Sequence, residues 1–135
     1  MDDMNHVFVV DDDPSARHGL VRLLSAAGYN VGNYASIEDF LGSLESSACG
    51  CLVLDADVPG TSGKELLDEL KARNTDISII IITAKDDRAT KRKSWEMKAV
   101  GFFRKPVDGT ALIDAIEWAL RSKTRNGNHT NMKSK

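Results

Sequence analysis

The chain alternates between short apolar runs and longer segments in which apolar residues recur every three or four positions. The short runs have the length of β-strands, and the longer segments have the periodicity of amphipathic helices. Five such pairs follow one another without an internal repeat. The predicted strands are His6–Val10, Asn30–Tyr34, Cys51–Leu54, Ile77–Ile82 and Gly101–Phe103.

Local signals mark where the intervening helices begin. Asp13 before Pro14 predicts an N-cap followed by proline at the first helical position. Ser62 with Glu65 predicts a capping box at the start of the third helix. The second and fifth helices are expected to begin at Ser36 and Asp108, and the fourth helix is expected to lie between Lys85 and Lys98.

Five strand–helix units predict a parallel sheet covered by helices on both faces. Right-handed crossovers favour a doubly wound sheet, and the flavodoxin-like strand order 2-1-3-4-5 is the usual solution for five strands. The almost unbroken β-branched run at Ile77–Ile82 suits a strand buried on both faces. The predicted fold class is therefore α/β, a doubly wound (βα)5 fold. Ligands bind such sheets at the carboxyl ends of the strands, near the switch in order between strands 1 and 3.

Polar residues of useful chemistry lie at those strand ends. Asp11 and Asp12 follow strand 1, Asp55 follows strand 3, Thr83 follows strand 4, and Lys105 lies just past strand 5. Clustered carboxylates repel one another, and a hard divalent cation such as Mg²⁺ relieves that repulsion with oxygen ligands. The sequence therefore predicts a Mg²⁺ site at this edge of the sheet.

The same residue types suit phosphoryl transfer. Aspartate can attack phosphorus and form an aspartyl phosphate. The Lys105 ammonium and the Thr83 hydroxyl could stabilise charge on the transferring oxygens. A carboxylate has no proton to lose, so no general base is needed. Each residue alone could be an ordinary cap or loop residue, and their joint placement at four strand ends carries the interpretation.

Composition fits one globular domain with an ordinary core. Of 135 residues, 41% are apolar and 28% charged. No apolar run approaches the ~20 residues of a membrane span, and the acidic N-terminus is unlike a secretory signal. We expect a cytoplasmic location, which also suits Cys49 and Cys51. These two are interpreted as small buried residues, with redox or metal chemistry as the alternative.

Charge divides the chain into two parts. Residues 1–120 carry 13 Lys and Arg and all 20 Asp and Glu, a net −7, which argues against direct nucleic-acid binding. The last fifteen residues carry five basic residues and no acidic one. We predict a domain over residues 1–121 and a polar, disordered tail over 122–135. The tail is interpreted as a solvated end or as a docking arm for an acidic partner.

Four stretches carry a resemblance to a known family. VFVVDDDPSAR, LVLDADVPGTSG, IIIITA and FFRKP resemble the receiver domains of two-component response regulators, with fitting spacings over roughly residues 5 to 121. Within that family, the chain is most similar to the single-domain chemotaxis type and to the nitrogen-fixation regulator type.

The resemblance implies roles for individual residues. Asp55 would be the phosphoacceptor, Asp12 the direct Mg²⁺ ligand and Asp11 a ligand through water. The backbone carbonyl of Asp57 would be a further Mg²⁺ ligand. Thr83 and Phe102 would form the switch, and Lys105 would pair with the phosphoryl group. The Lys105–Pro106 peptide bond would be cis, which is a minority state for X–Pro bonds.

The resemblance also implies partners and a mode of action. A sensor histidine kinase or a phosphotransfer protein would donate the phosphoryl group, and the chain would catalyse its own phosphotransfer and dephosphorylation without being an enzyme that turns over a substrate. Phosphorylation would shift a conformational population and change the face made by helix 4, strand 5 and helix 5, which would bind a downstream protein. Homodimerisation linked to phosphorylation is left open.

Two regions depart from the family pattern. Asp57 places an extra carboxylate beside the metal site. Its side chain either recruits further groups around the metal or alters the lifetime of the phosphate, or it is an ordinary solvated loop residue. In helix 4, Lys91 and Arg92 occupy positions where apolar residues are expected, and Lys98 stands where glycine is common. Trp95 is expected to anchor helix 4 in the core, whereas Trp118 is the expected surface aromatic.

Three other functions compete with a phosphoacceptor. DADV at 55–58 echoes the motif of haloacid-dehalogenase-type phosphatases, but that motif belongs after the first strand and Pro59 replaces its Thr or Val. A receiver-like adaptor that needs no phosphorylation is opposed by the complete set of site residues. A transcription factor is disfavoured for the chain as given, because no helix-turn-helix pattern follows residue 121.

Overall fold

Five strands alternate with five helices in the computed structural model, which describes the backbone of residues 5–60 and 62–133 and the side chains of 5–60 and 62–123. The elements are β1 His6–Val10, α1 Pro14–Ala26, β2 Asn30–Tyr34, α2 Ile37–Ser43, β3 Cys49–Asp55, α3 Gly63–Ala72, β4 Asp76–Thr83, α4 Arg88–Glu96, β5 Gly101–Arg104 and α5 Gly109–Lys133. Strands β3 and β4 are longer than predicted, so Asp55 and Thr83 are their last residues.

All five strands are parallel and lie in the order β2-β1-β3-β4-β5, which confirms the predicted doubly wound fold. Alternate residues of the central strands point to opposite faces of the sheet. Phe8, Val10 and Leu52 belong to one buried cluster, and Val7 and Val9 belong to the other. A core on each face holds the carboxyl ends of β1 and β3 side by side.

The helix starts follow the predicted capping chemistry. The Asp13 side chain accepts a hydrogen bond from the Ser15 amide at the start of α1. Ser62 and Glu65 form the reciprocal bonds of a capping box at α3. These bonds satisfy backbone donors that a helix leaves unpaired in its first turn. Helix α1 therefore begins directly after the acidic residues that follow β1.

The first half of β3 approaches β1 very closely. A Cβ atom at Gly50 would lie 2.6 Å from the His6 carbonyl oxygen, so only glycine fits there without a shift of the strands. The neighbouring Cys51 is completely buried, and burial raises the pKa of its thiol to about 12. A thiol that is both inaccessible and protonated is unreactive at neutral pH.

Trp95 does not anchor α4 in the core, and this prediction was wrong. Its side chain is 82% exposed, whereas Thr90, Ser94 and Met97 form the buried face of the helix. The reason is a close approach to α3, where a Cβ at Gly63 would lie 2.9 Å from the Lys93 carbonyl oxygen. Only small side chains and one methionine fit in that contact.

The other expectations about these helices divide. Lys91 and Arg92, which stand at positions where apolar residues are expected, are exposed. Trp118 on α5 is 50% exposed, as predicted.

Helix α5 continues through Lys133, over most of the segment predicted to be a disordered tail. Its packing on the sheet reaches at least Lys123, which is buried and donates a hydrogen bond of 2.9 Å to Asp76 at the start of β4. The side chains of residues 124–135 lie outside the described residues. The division of the chain at residue 121 stays a prediction.

Lys98 follows α4 with a φ of +56°, a left-handed conformation that glycine adopts without strain. We expect Lys98→Gly to raise the free energy of unfolding by about 0.5–1 kcal/mol, because the Cβ clash disappears. Urea denaturation of the two proteins measures this difference. Lys98→Ala is the matched control, since it removes the same charge but keeps Cβ, and an equal gain in that variant would contradict the explanation.

Candidate functional site

The acidic residues that follow β1 meet the end of β3 in space. One carboxylate oxygen from each of Asp11, Asp12 and Asp55 lies within 4.8 Å of the others. Asp11 and Asp55 are buried, whereas Asp12 is exposed. The three come together because β1 and β3 are neighbours at the position where the strand order reverses. The structure thus brings together three of the predicted metal ligands.

Asp11 is held in place by hydrogen bonds of its side chain, its amide and its carbonyl. Its Oδ1 accepts from the Asp13 amide at 3.0 Å, and its own amide donates to the Tyr34 carbonyl at 3.1 Å. The Asp11 carbonyl accepts from Arg17 Nη1 at 2.7 Å. Sequence reasoning assigned no role to Arg17, although its place in the first turn of α1 puts it beside the acidic residues.

Lys105 reaches into the acidic cluster from beyond β5. Its Nζ lies 3.0 Å from Asp11 Oδ2 and 3.0 Å from Asp55 Oδ2, so one ammonium bridges two carboxylates. Its amide also donates to the Thr83 carbonyl at 2.7 Å, which fixes the start of the loop. The Lys105–Pro106 peptide bond is cis, as the resemblance implies.

These contacts move two pKa values in the same direction for different reasons. Burial raises the pKa of Asp11, with a smaller contribution from the negative charge of Asp55, and together they outweigh its hydrogen bonds from Asp13 and Lys105. Partial burial acts against the charged form of Lys105, but its hydrogen bonds to Asp55 and Asp11 outweigh burial and raise its pKa. The site therefore combines crowded acids with a firmly charged ammonium.

The loop after β3 also contacts the phosphoacceptor candidate. The Asp57 amide donates to Asp55 Oδ1 at 2.9 Å, while Lys105 contacts the other oxygen. Each oxygen of Asp55 therefore has its own partner, and the carboxylate has a defined orientation. The Asp57 side chain is exposed.

Thr83 is buried at the carboxyl end of β4. Its Oγ1 accepts from the Lys85 amide at 2.9 Å, which leaves the hydroxyl hydrogen for another acceptor. Phe102 is half-buried on β5, where it pairs in register with Ile81 and packs against the core cluster that contains Leu54. Thr83 and Phe102 lie on β4 and β5, the two strands that follow β3 in the strand order.

The donor set fits a hard divalent cation. Three carboxylates supply oxygen atoms, which are the ligands that Mg²⁺ prefers, and the exposed position of Asp12 leaves room for the waters that Mg²⁺ keeps. The resemblance implies that Asp11 contacts the cation through water; in the structure its two carboxylate oxygens accept hydrogen bonds from the Asp13 amide and from Lys105. The arrangement could hold a cation, and it also places a lysine beside a potential nucleophile.

Comparison with known proteins identifies the family. The profile of the response regulator receiver domain matches residues 7–117, and the chain belongs to that family of signalling domains. It is 35% identical over 116 residues to the transcriptional regulatory protein FixJ of Bradyrhizobium diazoefficiens, covering 86% of this chain and 57% of that protein. The chain spans about half to three fifths of the length of the curated relatives it matches.

Solved structures agree with this assignment. A structure of the response regulator StyR matches with a TM-score of 0.78 and 39% identity, covering 95% of this chain and 66% of that one. The FixJ-N structure matches with a TM-score of 0.72 and 34% identity, covering 86% of this chain and 93% of that one. The predicted family and fold are both confirmed.

Proposed function

We propose that this receiver domain is a phosphorylation-dependent switch in which Asp55 accepts a phosphoryl group from a sensor histidine kinase or a phosphotransfer protein. The observation that carries the proposal is the convergence of Asp11, Asp12 and Asp55 within 4.8 Å, with Lys105 Nζ 3.0 Å from two of them. Membership of the receiver family supports the signalling role. Roles of single residues are proposed from the resemblance to receiver domains together with their chemistry and geometry.

In the proposed reaction, an Asp55 oxygen forms a bond to phosphorus while the bond from phosphorus to the donor nitrogen breaks. The electron pair leaves with the donor, and the product is an aspartyl phosphate. Attack by water on that phosphorus later releases inorganic phosphate and regenerates the carboxylate. The chain would assist both steps with its own residues, so it acts as an autocatalytic switch.

Lys105 and Thr83 are the proposed stabilisers of the transferring group. The Lys105 ammonium already contacts Asp55 Oδ2, so a phosphoryl oxygen attached to Asp55 would come within its reach. The Thr83 hydroxyl retains its hydrogen and could donate it to another phosphoryl oxygen. Positive charge and a hydrogen-bond donor are then supplied from two different strand ends.

Mg²⁺ is the proposed cofactor. The resemblance to receiver domains implies that Asp12, Asp55 and the Asp57 carbonyl would hold it, with Asp11 acting through water, and the convergence of the three carboxylates supports this. When bound, Mg²⁺ supplies positive charge that neutralises the acidic cluster and the oxygens of the transferring group.

The output would be relayed to a partner protein through the face formed by α4, β5 and α5. Movement of Thr83 towards the phosphoryl group would change the position or burial of Phe102 on the neighbouring strand. Trp95 on α4 and Trp118 on α5 are large exposed aromatic residues in these elements. Exposed aromatic side chains of this kind are enriched where protein partners bind. Phosphorylation-linked homodimerisation through this face is a variant of the same proposal.

Regulation of transcription is a second candidate for the output, favoured by the names of the relatives. The net −7 of residues 1–120 repels a phosphate backbone, so we propose that this part of the chain acts on DNA only through a partner.

We propose that the chain works in the cytoplasm, because Cys51 forms no disulfide, as is usual for cysteines in a reducing compartment. Within the described residues, no helix is both long and apolar enough to cross a bilayer.

The test is direct phosphorylation by a small donor. The protein is incubated with acetyl phosphate and Mg²⁺, and its intact mass is measured. We expect a gain of one phosphoryl group in the wild type and none in Asp55→Asn or in the presence of EDTA. Asp57→Asn is the matched control and should still be labelled. No gain in the wild type, where another receiver is labelled in parallel, would support the phosphorylation-independent adaptor instead.

A further inference from the structure

Lys93 connects α4 to the loop that follows the phosphoacceptor. Its Nζ donates a hydrogen bond of 2.8 Å to the carbonyl oxygen of Ala56, across 37 positions of sequence. Ala56 is buried, and a buried carbonyl needs a hydrogen-bond partner. This lysine is half-buried, unlike its neighbours Lys91 and Arg92 on the exposed side of the helix.

The Ala56–Asp57 peptide links Lys93 to Asp55. Its carbonyl accepts from Lys93, and its N–H, the Asp57 amide, donates 2.9 Å to Asp55 Oδ1. Both groups belong to one planar, conjugated unit. A cation at the carbonyl polarises the unit and strengthens the N–H as a donor. The charge of Lys93 therefore acts on the Asp55 carboxylate through a single peptide group.

Helix α4, which carries Lys93, is closely packed against α3. Helix α4 lies so close to α3 that a Cβ at Gly63 would be 2.9 Å from the Lys93 carbonyl oxygen and 3.0 Å from Met97 Cγ. The start of the loop after β3 is also bonded to the sheet, because the Ala56 amide donates to the Ile82 carbonyl at 2.8 Å. The position of α4 and the orientation of the peptide are thereby coupled.

We propose that Lys93 is a positioning residue for the phosphoacceptor. By holding the Ala56–Asp57 peptide, it keeps Asp55 Oδ1 on the Asp57 amide and so sets the orientation in which the carboxylate meets phosphorus. This inference rests on the proposed function of Asp55. It also gives α4 a route to the site that is separate from Thr83 and Phe102.

A simpler role for Lys93 is that of a cation in the last turn of α4, where it would stabilise the helix dipole. The two roles differ in what they do to Asp57. A dipole effect changes the stability of α4 alone, whereas the proposed role also changes the Asp57 amide. The test therefore includes a spectroscopic signal from that amide.

Three variants separate these roles. Lys93→Met removes the ammonium at nearly constant length, Lys93→Arg keeps a cationic donor, and Lys91→Met removes the same charge from the exposed side of α4. In ¹⁵N-labelled protein without phosphoryl donor, we expect the Asp57 amide proton to move upfield in Lys93→Met. It should stay near its wild-type position in Lys93→Arg and Lys91→Met.

The same variants are then compared for the rate of phosphoryl gain from acetyl phosphate with Mg²⁺, followed by intact mass. Lys93→Met should be labelled about threefold to tenfold more slowly than Lys91→Met, because a less fixed carboxylate reaches the reactive orientation less often. Lys93→Arg should remain within about twofold of the wild type.

The outcomes distinguish this inference from the function on which it rests. If the wild type is labelled but Lys93→Met is labelled as fast as Lys91→Met, only the role of Lys93 is overturned. An unmoved Asp57 amide in Lys93→Met overturns it equally. If the wild type gains no phosphoryl group while a parallel receiver does, the proposed function fails and the inference falls with it. Both an amide shift and a slower rate are required for support.

Discussion

Lys105→Met is expected to lower the free energy of unfolding by about 2–3 kcal/mol in metal-free buffer. The substitution leaves two buried carboxylates, Asp11 and Asp55, without the ammonium that bridges them at 3.0 Å. Removing one partner of a buried ion pair costs more than the pair contributes, because an uncompensated charge stays behind. Lys105 keeps 24% of its side chain exposed, which places the expected loss below the full range for such pairs. Urea denaturation in EDTA measures it.

Addition of Mg²⁺ should restore part of the stability lost in Lys105→Met, since a bound cation would compensate the same carboxylates. Lys64→Met is the matched control, because the Lys64–Asp68 pair is exposed at 3.5 Å. Exposed pairs contribute about 0–1 kcal/mol, so little change is expected there. Equal losses of unfolding free energy in Lys105→Met and Lys64→Met would contradict the claim that the buried carboxylates need Lys105.

Asp11→Asn is expected to abolish most of the stabilisation that Mg²⁺ gives the folded protein. A cation that binds only the native state stabilises it by RT ln(1 + [L]/Kd), which is about 1.4 kcal/mol when the concentration is ten times Kd. The amide of asparagine carries no charge, so the variant loses one of three clustered carboxylates. Thermal or urea unfolding at increasing Mg²⁺ concentration measures how much the free energy of unfolding of each protein rises with Mg²⁺.

Asp13→Asn provides the control for Asp11→Asn. It removes the same charge two residues further on, and asparagine caps a helix about as well as aspartate, so α1 should remain intact. Asp13 does not belong to the carboxylate cluster. We expect a wild-type response to Mg²⁺ from this variant. If Asp11→Asn and Asp13→Asn lost the stabilisation by Mg²⁺ equally, the loss would reflect the change in net charge and not the removal of a metal ligand.

The parts of the fold that follow from local chemistry could be predicted from the sequence. Short apolar runs predicted the five strands, and the recurrence of apolar residues every three or four positions predicted the five helices. The caps at Asp13 and Ser62 were predictable because they act within a few residues. The convergence of Asp11 and Asp55 was predictable because β1 and β3 are neighbours whose carboxyl ends lie at one edge of the sheet. Lys105 follows β5, two strands away from β3, and its long side chain reaches both carboxylates. Topology and the length of one side chain thus assemble residues that are up to 94 positions apart.

The features that depend on how two helices pack could not be predicted. Trp95 is an ordinary core residue by type, but the close contact at Gly63 decides which face of α4 is buried. The same contact selects Lys93, and not its neighbour Lys91, as the lysine that reaches Ala56. A run of charged residues carries no signal that distinguishes these two lysines. Their roles depend on a rotation of the helix that only tertiary packing sets.

The charged character of α4 therefore has an explanation in the structure. Its inner face needs only Thr90, Ser94 and Met97, so the charged residues do not disrupt the core. One of them, Lys93, turns inward to the loop beside Asp55. Asp86 before the helix pairs with Lys91 at 3.4 Å and with Arg104 of β5 at 3.9 Å, which adds exposed contacts between α4 and β5. Lys93 thus links the face proposed to report phosphorylation to the loop beside Asp55, and the Asp86 pairs link two elements of that face to each other.

The most direct test of the account is to locate the phosphoryl group on the chain. After incubation with acetyl phosphate and Mg²⁺, borohydride reduces an acyl phosphate and converts the modified aspartate to homoserine, which peptide mass spectrometry identifies by position. The account predicts homoserine at position 55 alone, with Asp12 and Asp57 unmodified. Homoserine at position 12 or 57, or its absence from a protein that has gained a phosphoryl group, would contradict the assignment of Asp55 as the phosphoacceptor.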